Sequence, residues 1–170
     1  MGYFPNFDAI QFFTRQIAPV LRKKSPMPWN LRIVGMPPQK NWLRKLKHFP
    51  EINFSGFVKD LYPEYEAADI VVAPIRGGGG TRIKILEAFA HGVPVVSTSK
   101  GAEGLNVENG IHLLIEDNPD LFAHACIRLM NDPLLRDEMS RRAFDLAASQ
   151  YHPDMIKHIW TKNSPHESRS

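Results

Sequence analysis

The chain has 170 residues, of which 43% are apolar and 23% charged, enough to build one domain with a proper core and too little for two. A formal net charge of +3 is mild: it suits anionic ligands or weak attraction to a membrane surface and gives no ground for a nucleic-acid partner. One cysteine, Cys126, excludes a disulfide framework and a thiolate metal site, and the scattered histidines lack ligand spacing, so no metal is expected. No apolar run approaches the ~20 residues that cross a bilayer, and a reducing, cytoplasmic setting is expected.

In chain order, Ile10, Phe13, Ile17 and Leu21 recur at spacings of three or four and predict a helix over residues 7–24, with Pro19 expected to kink or shorten it. Residues 30–35 read as a strand, 39–49 as a basic amphipathic surface helix, and 52–56 as a second strand. Asp60 caps a short helix to Ala68. Residues 69–75 form an apolar strand of the kind buried on both faces of a parallel sheet. A helix over 81–91 ends at Gly92 with Pro94 close behind. Strands follow at 93–97 and 111–115, then helices at 118–130 and 133–151.

This alternation predicts an α/β fold, a Rossmann-like doubly wound parallel sheet, with ligands at the carboxyl ends of the strands. Residues 1–162 are expected to be a single domain and the polar residues 163–170 a disordered tail. Met1–Asn6 reads like the exit from a strand with nothing ahead to pair it, so a first strand is expected to have been truncated.

The chemistry concentrates at Gly77, Gly78, Gly79 and Gly80, four consecutive glycines between the 69–75 strand and a helix opening at Thr81. Glycines remove Cβ atoms from a ligand's path, and amides at a helix N-terminus attract anions, so a phosphate or diphosphate is the expected ligand. Neither the P-loop order nor the dinucleotide fingerprint is present, since Arg82 stands where the third glycine of the latter should be. Glu87 interrupts the apolar stretch 85–90, and a ribose diol is a fitting partner for its carboxylate. Lys84 and Glu87 lie about 60° apart on a helical wheel, so a surface ion pair is the competing explanation to the ligand role favoured for Glu87. Arg82 and Lys84 work against the helix dipole, which favours a ligand role. Lys100 and Glu103 lie in the loop after the next strand and are secondary candidates.

The stretch 69–98, with the Gly77–Thr81 loop, Ile85-Leu86-Glu87-Ala88 and Gly92-Val93-Pro94-Val95-Val96-Ser97-Thr98, resembles the C-terminal half of group 1 (family 4) glycosyltransferases. The resemblance runs from Gly2 to about Tyr151. It implies a GT-B fold, whose C-terminal domain binds a nucleoside-diphosphate sugar and whose N-terminal domain mostly holds the acceptor. Glu87 matches the second Glu of the family's E-x7-E motif, which would bind the ribose hydroxyls. The first Glu is replaced by Gly79, which removes an expected contact to the transferred sugar. Backbone amides of Gly78, Gly79, Gly80 and Thr81 would cradle the diphosphate, and Arg82 and Lys84 would stabilise the leaving group.

The implied reaction is retaining transfer to an acceptor hydroxyl in bacterial polysaccharide or glycoconjugate synthesis. It needs no cofactor or metal. The partners would be the donor and a glycan or lipid-linked glycan held by an N-terminal domain missing here, with peripheral attachment at the inner face of the membrane allowed and the fragment alone inactive. The competing readings are a nucleotide-sugar epimerase of the same architecture and a non-catalytic nucleotide-binding or scaffold module.

Overall fold

The computed structural model describes residues 4–35, 49–78 and 82–150. The expected basic helix over 39–49 falls almost wholly outside them, as do the 163–170 tail and the residues ahead of Phe4. Helix α1 (Phe4–Phe12) runs through a π-helical turn (Phe13–Ile17) into α2 (Ala18–Lys24). Strands β1 (Leu31–Val34) and β2 (Ile52–Gly56) follow, then α3 (Tyr62–Glu66), β3 (Val71–Ala73) and α4 (Arg82–Ala90). The chain continues as β4 (Val95–Ser97), α5 (Ser99–Ala102), β5 (Leu114–Ile115), α6 (Pro119–Asn131) and α7 (Pro133–Gln150).

Every strand pair is parallel. The described strands form a two-stranded sheet, β1-β2, and a three-stranded sheet, β3-β4-β5. In the second sheet the side chains alternate between two apolar layers. Val71, Ala73, Val95, Leu113 and Ile115 join Ile85, Leu86 and Phe89 of α4 and Ala143, Leu146 and Ala147 of α7. Val72, Val96 and Leu114 face the opposite layer, with Phe12, Phe13, Ile17, Leu21 and Phe122, Cys126 and Leu129 of α6. Helices on both faces of a parallel sheet are the doubly wound arrangement, which explains why these strands read as unbroken apolar runs. Each fully buried Phe, Leu or Ile contributes about 1.5–3 kcal/mol. The layers meet across the sheet at Val95 and Val96, both fully buried.

Local departures from the sequence expectations have identifiable causes. Pro19 lacks an N–H and its ring crowds the carbonyl one turn back. The chain meets this by widening the preceding turn, in which Ala18 N–H donates to Phe13 O, and helix resumes with Pro19 at its start. The run Ser99–Ala102, expected as loop, is a short helix capped by Thr98, whose hydroxyl accepts from Gly101 N–H at 3.0 Å. The last strand is shorter than 111–115, because Ile111 and His112 N–H turn back to Glu108 O beside Gly110.

The α4 terminus follows its sequence signal. Gly92 has φ +66°, its N–H donates to Phe89 O, and Val93 N–H donates to Ala88 O, the paired bonds of a Schellman motif. Asn118 caps α6 by accepting from Asp120 and Leu121 N–H. Among the described residues no helix is long and apolar enough to cross a membrane.

Candidate functional site

The site is built at the carboxyl edge of β3 and β4. Beyond Ala73 the chain passes through Pro74 and the buried Ile75 to Arg76, Gly77 and Gly78. Thr98, at the end of β4, donates its hydroxyl hydrogen to Ile75 O, and Ser97 donates to Ala73 O at 3.3 Å. These buried hydroxyls bind the two loops together where parallel strands end. Gly78 has φ +86°, a left-handed conformation that side chains with Cβ resist. Gly79, Gly80 and Thr81 lie outside the described residues, as does the Arg82 side chain, so their expected contacts stay at the level of sequence.

Helix α4 then presents Lys84 and Glu87. They do not meet as the surface ion pair that their spacing allows; each has another partner. Lys84 Nζ donates to Asn6 Oδ1 on α1 at 3.0 Å. Crowding by the surrounding protein holds the ammonium below its ordinary proton affinity, and the negative charge of Glu87 partly offsets this. A lysine whose hydrogen-bond partner is a neutral amide can still turn its charge to an anionic ligand. Glu87 is half-buried, and its Oε2 accepts from the Tyr65 hydroxyl at 3.1 Å.

Around this pair stand residues that the sequence did not single out. The Tyr65 ring stacks on His91 with centroids 4.6 Å apart and planes 14° from parallel, and Tyr62 lies 5.6 Å from the same imidazole. A histidine at a helix C-terminus is favoured as a cation on dipole grounds. Here burial against the tyrosines outweighs that and lowers its proton affinity, against opposing pulls from Glu87 and Asp60. On the other flank the Arg76 guanidinium grips the Asp8 carboxylate by two bonds, at 2.6 and 3.0 Å, and lies 4.5 Å over the Phe12 ring. Helix α1 therefore holds the glycine segment from both sides, through Asp8 before it and Asn6 after it. The Asn6 and Asp8 contacts span 78 and 68 residues.

Lys100 and Glu103, the secondary candidates, are joined to each other at 2.6 Å across α5. Asp117 accepts from both the N–H and the hydroxyl of Ser99 and fixes the start of that helix.

A parallel α/β sheet with helices on both faces and a glycine segment at its carboxyl edge is the doubly wound arrangement of the Rossmann class. Within that class the chain belongs to the group 1 glycosyl transferases, whose family profile matches residues 1–132. It is 33% identical over 120 residues to a GDP-mannose-dependent monoacylated alpha-(1-6)-phosphatidylinositol monomannoside mannosyltransferase of Corynebacterium glutamicum, covering 64% of this chain and 32% of that protein. It is 30% identical over 93 residues to an uncharacterized 44.6 kDa protein in the cps region of Klebsiella pneumoniae, covering 55% of this chain and 24% of that one.

Among solved structures it is similar to the C-terminal domain of a group 1 family protein, LpcC, from Francisella tularensis. The TM-score is 0.73 at 24% identity, covering 85% of this chain and 80% of that one. Anabaena HepE in complex with UDP and glucose gives 0.71 at 18% identity, covering 87% and 43%. These likenesses establish a GT-B C-terminal domain fold. The chain spans a third or less of the two curated relatives named here.

Proposed function

We propose that the chain is the donor-binding domain of a GT-B glycosyltransferase and holds a nucleoside-diphosphate sugar at the β3–α4 edge. The observation that carries this reading is the pair on α4: a half-buried carboxylate braced by a phenol, and one helical turn earlier a lysine braced by an amide. A nucleoside diphosphate presents the matching groups, a cis-diol that donates to a carboxylate and a diphosphate that takes cations and amides. Glu87 receives the ribose hydroxyls. Gly78, Gly79, Gly80 and Thr81 supply backbone amides to the diphosphate, and Arg82 and Lys84 supply charge that grows in value as the leaving group departs. Lys100 and Glu103 lie at the mouth of the neighbouring loop and act on the sugar only if their mutual bond opens.

The acceptor, a glycan or lipid-linked glycan, is held by a separate domain, and transfer retains anomeric configuration. A polysaccharide pathway, run in the cytoplasm at the inner membrane face, is in keeping with relatives in a cps region and an exopolysaccharide phosphotransferase of Streptomyces coelicolor.

The test is ligand-observed NMR of the chain with UDP, GDP and ADP, with Glu87→Ala alongside. One diphosphate is expected to bind, and the variant to weaken it about tenfold or more, the worth of a hydrogen bond to a charged group. Given a sugar conjugate of that nucleotide and added glycans, the chain alone should show no sugar transfer. Failure of all three nucleotides to bind a folded sample, or binding indifferent to Glu87, refutes the reading.

A further inference from the structure

Glu87 reaches the site from α4, and a glutamate has three rotatable bonds with which to miss a ligand. Its direction is set from outside α4. Tyr65 sits on α3, 22 residues earlier, and its hydroxyl donates to Glu87 Oε2. The phenol has little freedom to turn away. One face of its ring is covered by His91, and the side chain packs against the apolar layer that holds Ile85, Phe89 and Leu146.

Helix α3 is itself tied down at two points. Asp60 Oδ1 accepts from Tyr62 N–H at 3.0 Å, and Glu64 accepts from Arg32 of β1 at 2.8 Å. Burial, with the Glu87 charge and hydrogen bond adding to it, keeps the phenol protonated well above the usual pH for tyrosine, so it stays a donor.

A carboxylate offers two oxygens and about four lone-pair directions. Tyr65 occupies one direction on Oε2, which leaves the whole of Oε1 and the other side of Oε2. Two adjacent hydroxyls of a furanose ring fill that remainder; a single hydroxyl leaves half of it empty. We propose that Tyr65 is a positioning residue for donor selection, fixing Glu87 in the rotamer that takes both hydroxyls of a ribose and so discriminating ribonucleotides from 2′-deoxyribonucleotides. This rests on the reading that Glu87 meets the ribose. Tyr65 touches no ligand and acts through the carboxylate.

The experiment uses the whole chain as wild type, Tyr65→Phe and Glu87→Gln. Each is titrated with UDP, GDP and ADP and with their 2′-deoxy counterparts. Phenylalanine keeps the ring and its stack on His91, and matching circular dichroism confirms the fold. The wild type is expected to favour the ribonucleotide about tenfold or more, and Tyr65→Phe to reduce that ratio to about threefold or less while deoxynucleotide binding barely changes.

A second readout needs no nucleotide. With tyrosine labelled at the ring Cζ, the Tyr65 Cζ resonance at neutral pH should move in Glu87→Gln, because the phenol's hydrogen bond to a carboxylate becomes one to an amide. A ratio lost in Glu87→Gln but intact in Tyr65→Phe, or a Tyr65 Cζ resonance indifferent to Glu87→Gln, overturns the Tyr65 assignment alone. A ratio untouched by Glu87→Gln, or no binding of any nucleotide, overturns the donor-site reading and this inference with it.

Discussion

Gly101 is where the packing beneath the site tolerates least. It is buried in α5 with its N–H bonded to Thr98 Oγ1. A methyl group placed on its Cα would stand 2.4 Å from Ser97 Oγ, 2.9 Å from Ala73 O and 3.2 Å from Thr98 Oγ1. All three are inside the roughly 3.5–4.0 Å at which carbon contacts become favourable. Ser97 can rotate, but its single hydroxyl hydrogen then leaves Ala73 O and Thr98 O, between which it is shared, a loss of about 1 kcal/mol for a buried hydroxyl. Ala73 O belongs to β3 and cannot swing aside.

Overpacking of this kind costs about 1–3 kcal/mol. Replacing glycine by alanine within a helix returns about 0.5–1 kcal/mol. Gly101→Ala should therefore destabilise by about 2 kcal/mol, or roughly 4–8 °C in midpoint for a domain of this size. Urea denaturation with an unchanged slope measures it. Gly77→Ala is the control, since nothing lies within 4 Å of a methyl there, and should move stability by less than about 0.5 kcal/mol. Adding Ser97→Ala to Gly101→Ala should restore only part of the loss, because the Ala73 carbonyl remains. A Gly101→Ala variant as stable as wild type would refute the argument.

Two other outcomes follow from burial. Cys126 is 1% exposed and its thiol is pushed up to about 12 by burial, so a thiol reagent at pH 8 should leave the native chain unlabelled and react only as it unfolds; rapid native labelling would contradict this. His91 binds its proton less readily when folded than the 6.5 of a free imidazole. Just below pH 6.5 the unfolded chain then carries more protons, so stability is full above that pH and declines as pH falls beneath it. The His91→Gln variant should lack that decline, and the stability gap to wild type should narrow between pH 7 and 5.5; a constant gap, or an NMR midpoint for His91 equal to that of the unfolded chain, would count against it.

The strands and the α4 helix were legible because their signals are local. β-Branched runs such as Val71-Val72 and Val95-Val96 announce doubly buried strands, and Gly92 followed by Pro94 announces where α4 stops. Helix α5 was not legible, since Ser-Lys-Gly-Ala has weak helix preference and only the Thr98 cap marks its start. The π-helical turn was legible only as trouble at Pro19, not as the remedy the chain adopts.

For the site, Lys84 and Glu87 were readable from their placement on one helix, and the competing reading of a mutual ion pair gives way to partners distant in sequence. Tyr65, Asn6, Asp8 and Arg76 act through contacts 22 to 78 residues apart, which no local period encodes. Nothing in the residue string distinguishes Tyr65 from Tyr62, three positions away; only the fold decides which one meets the carboxylate.

The turn between α6 and α7 satisfies itself. Arg136 donates to the Leu129 and Met130 carbonyls that end α6, while the Asp132 side chain accepts from Leu135 N–H to begin α7. Two helices closed by their own caps open together or not at all, and α7 is what backs α4 through Ala143, Leu146 and Ala147. In native-state hydrogen exchange the α4 amides beneath Lys84 and Glu87 should then share one opening free energy with the C-terminal hairpin. The site is only as durable as the helical hairpin packed behind it.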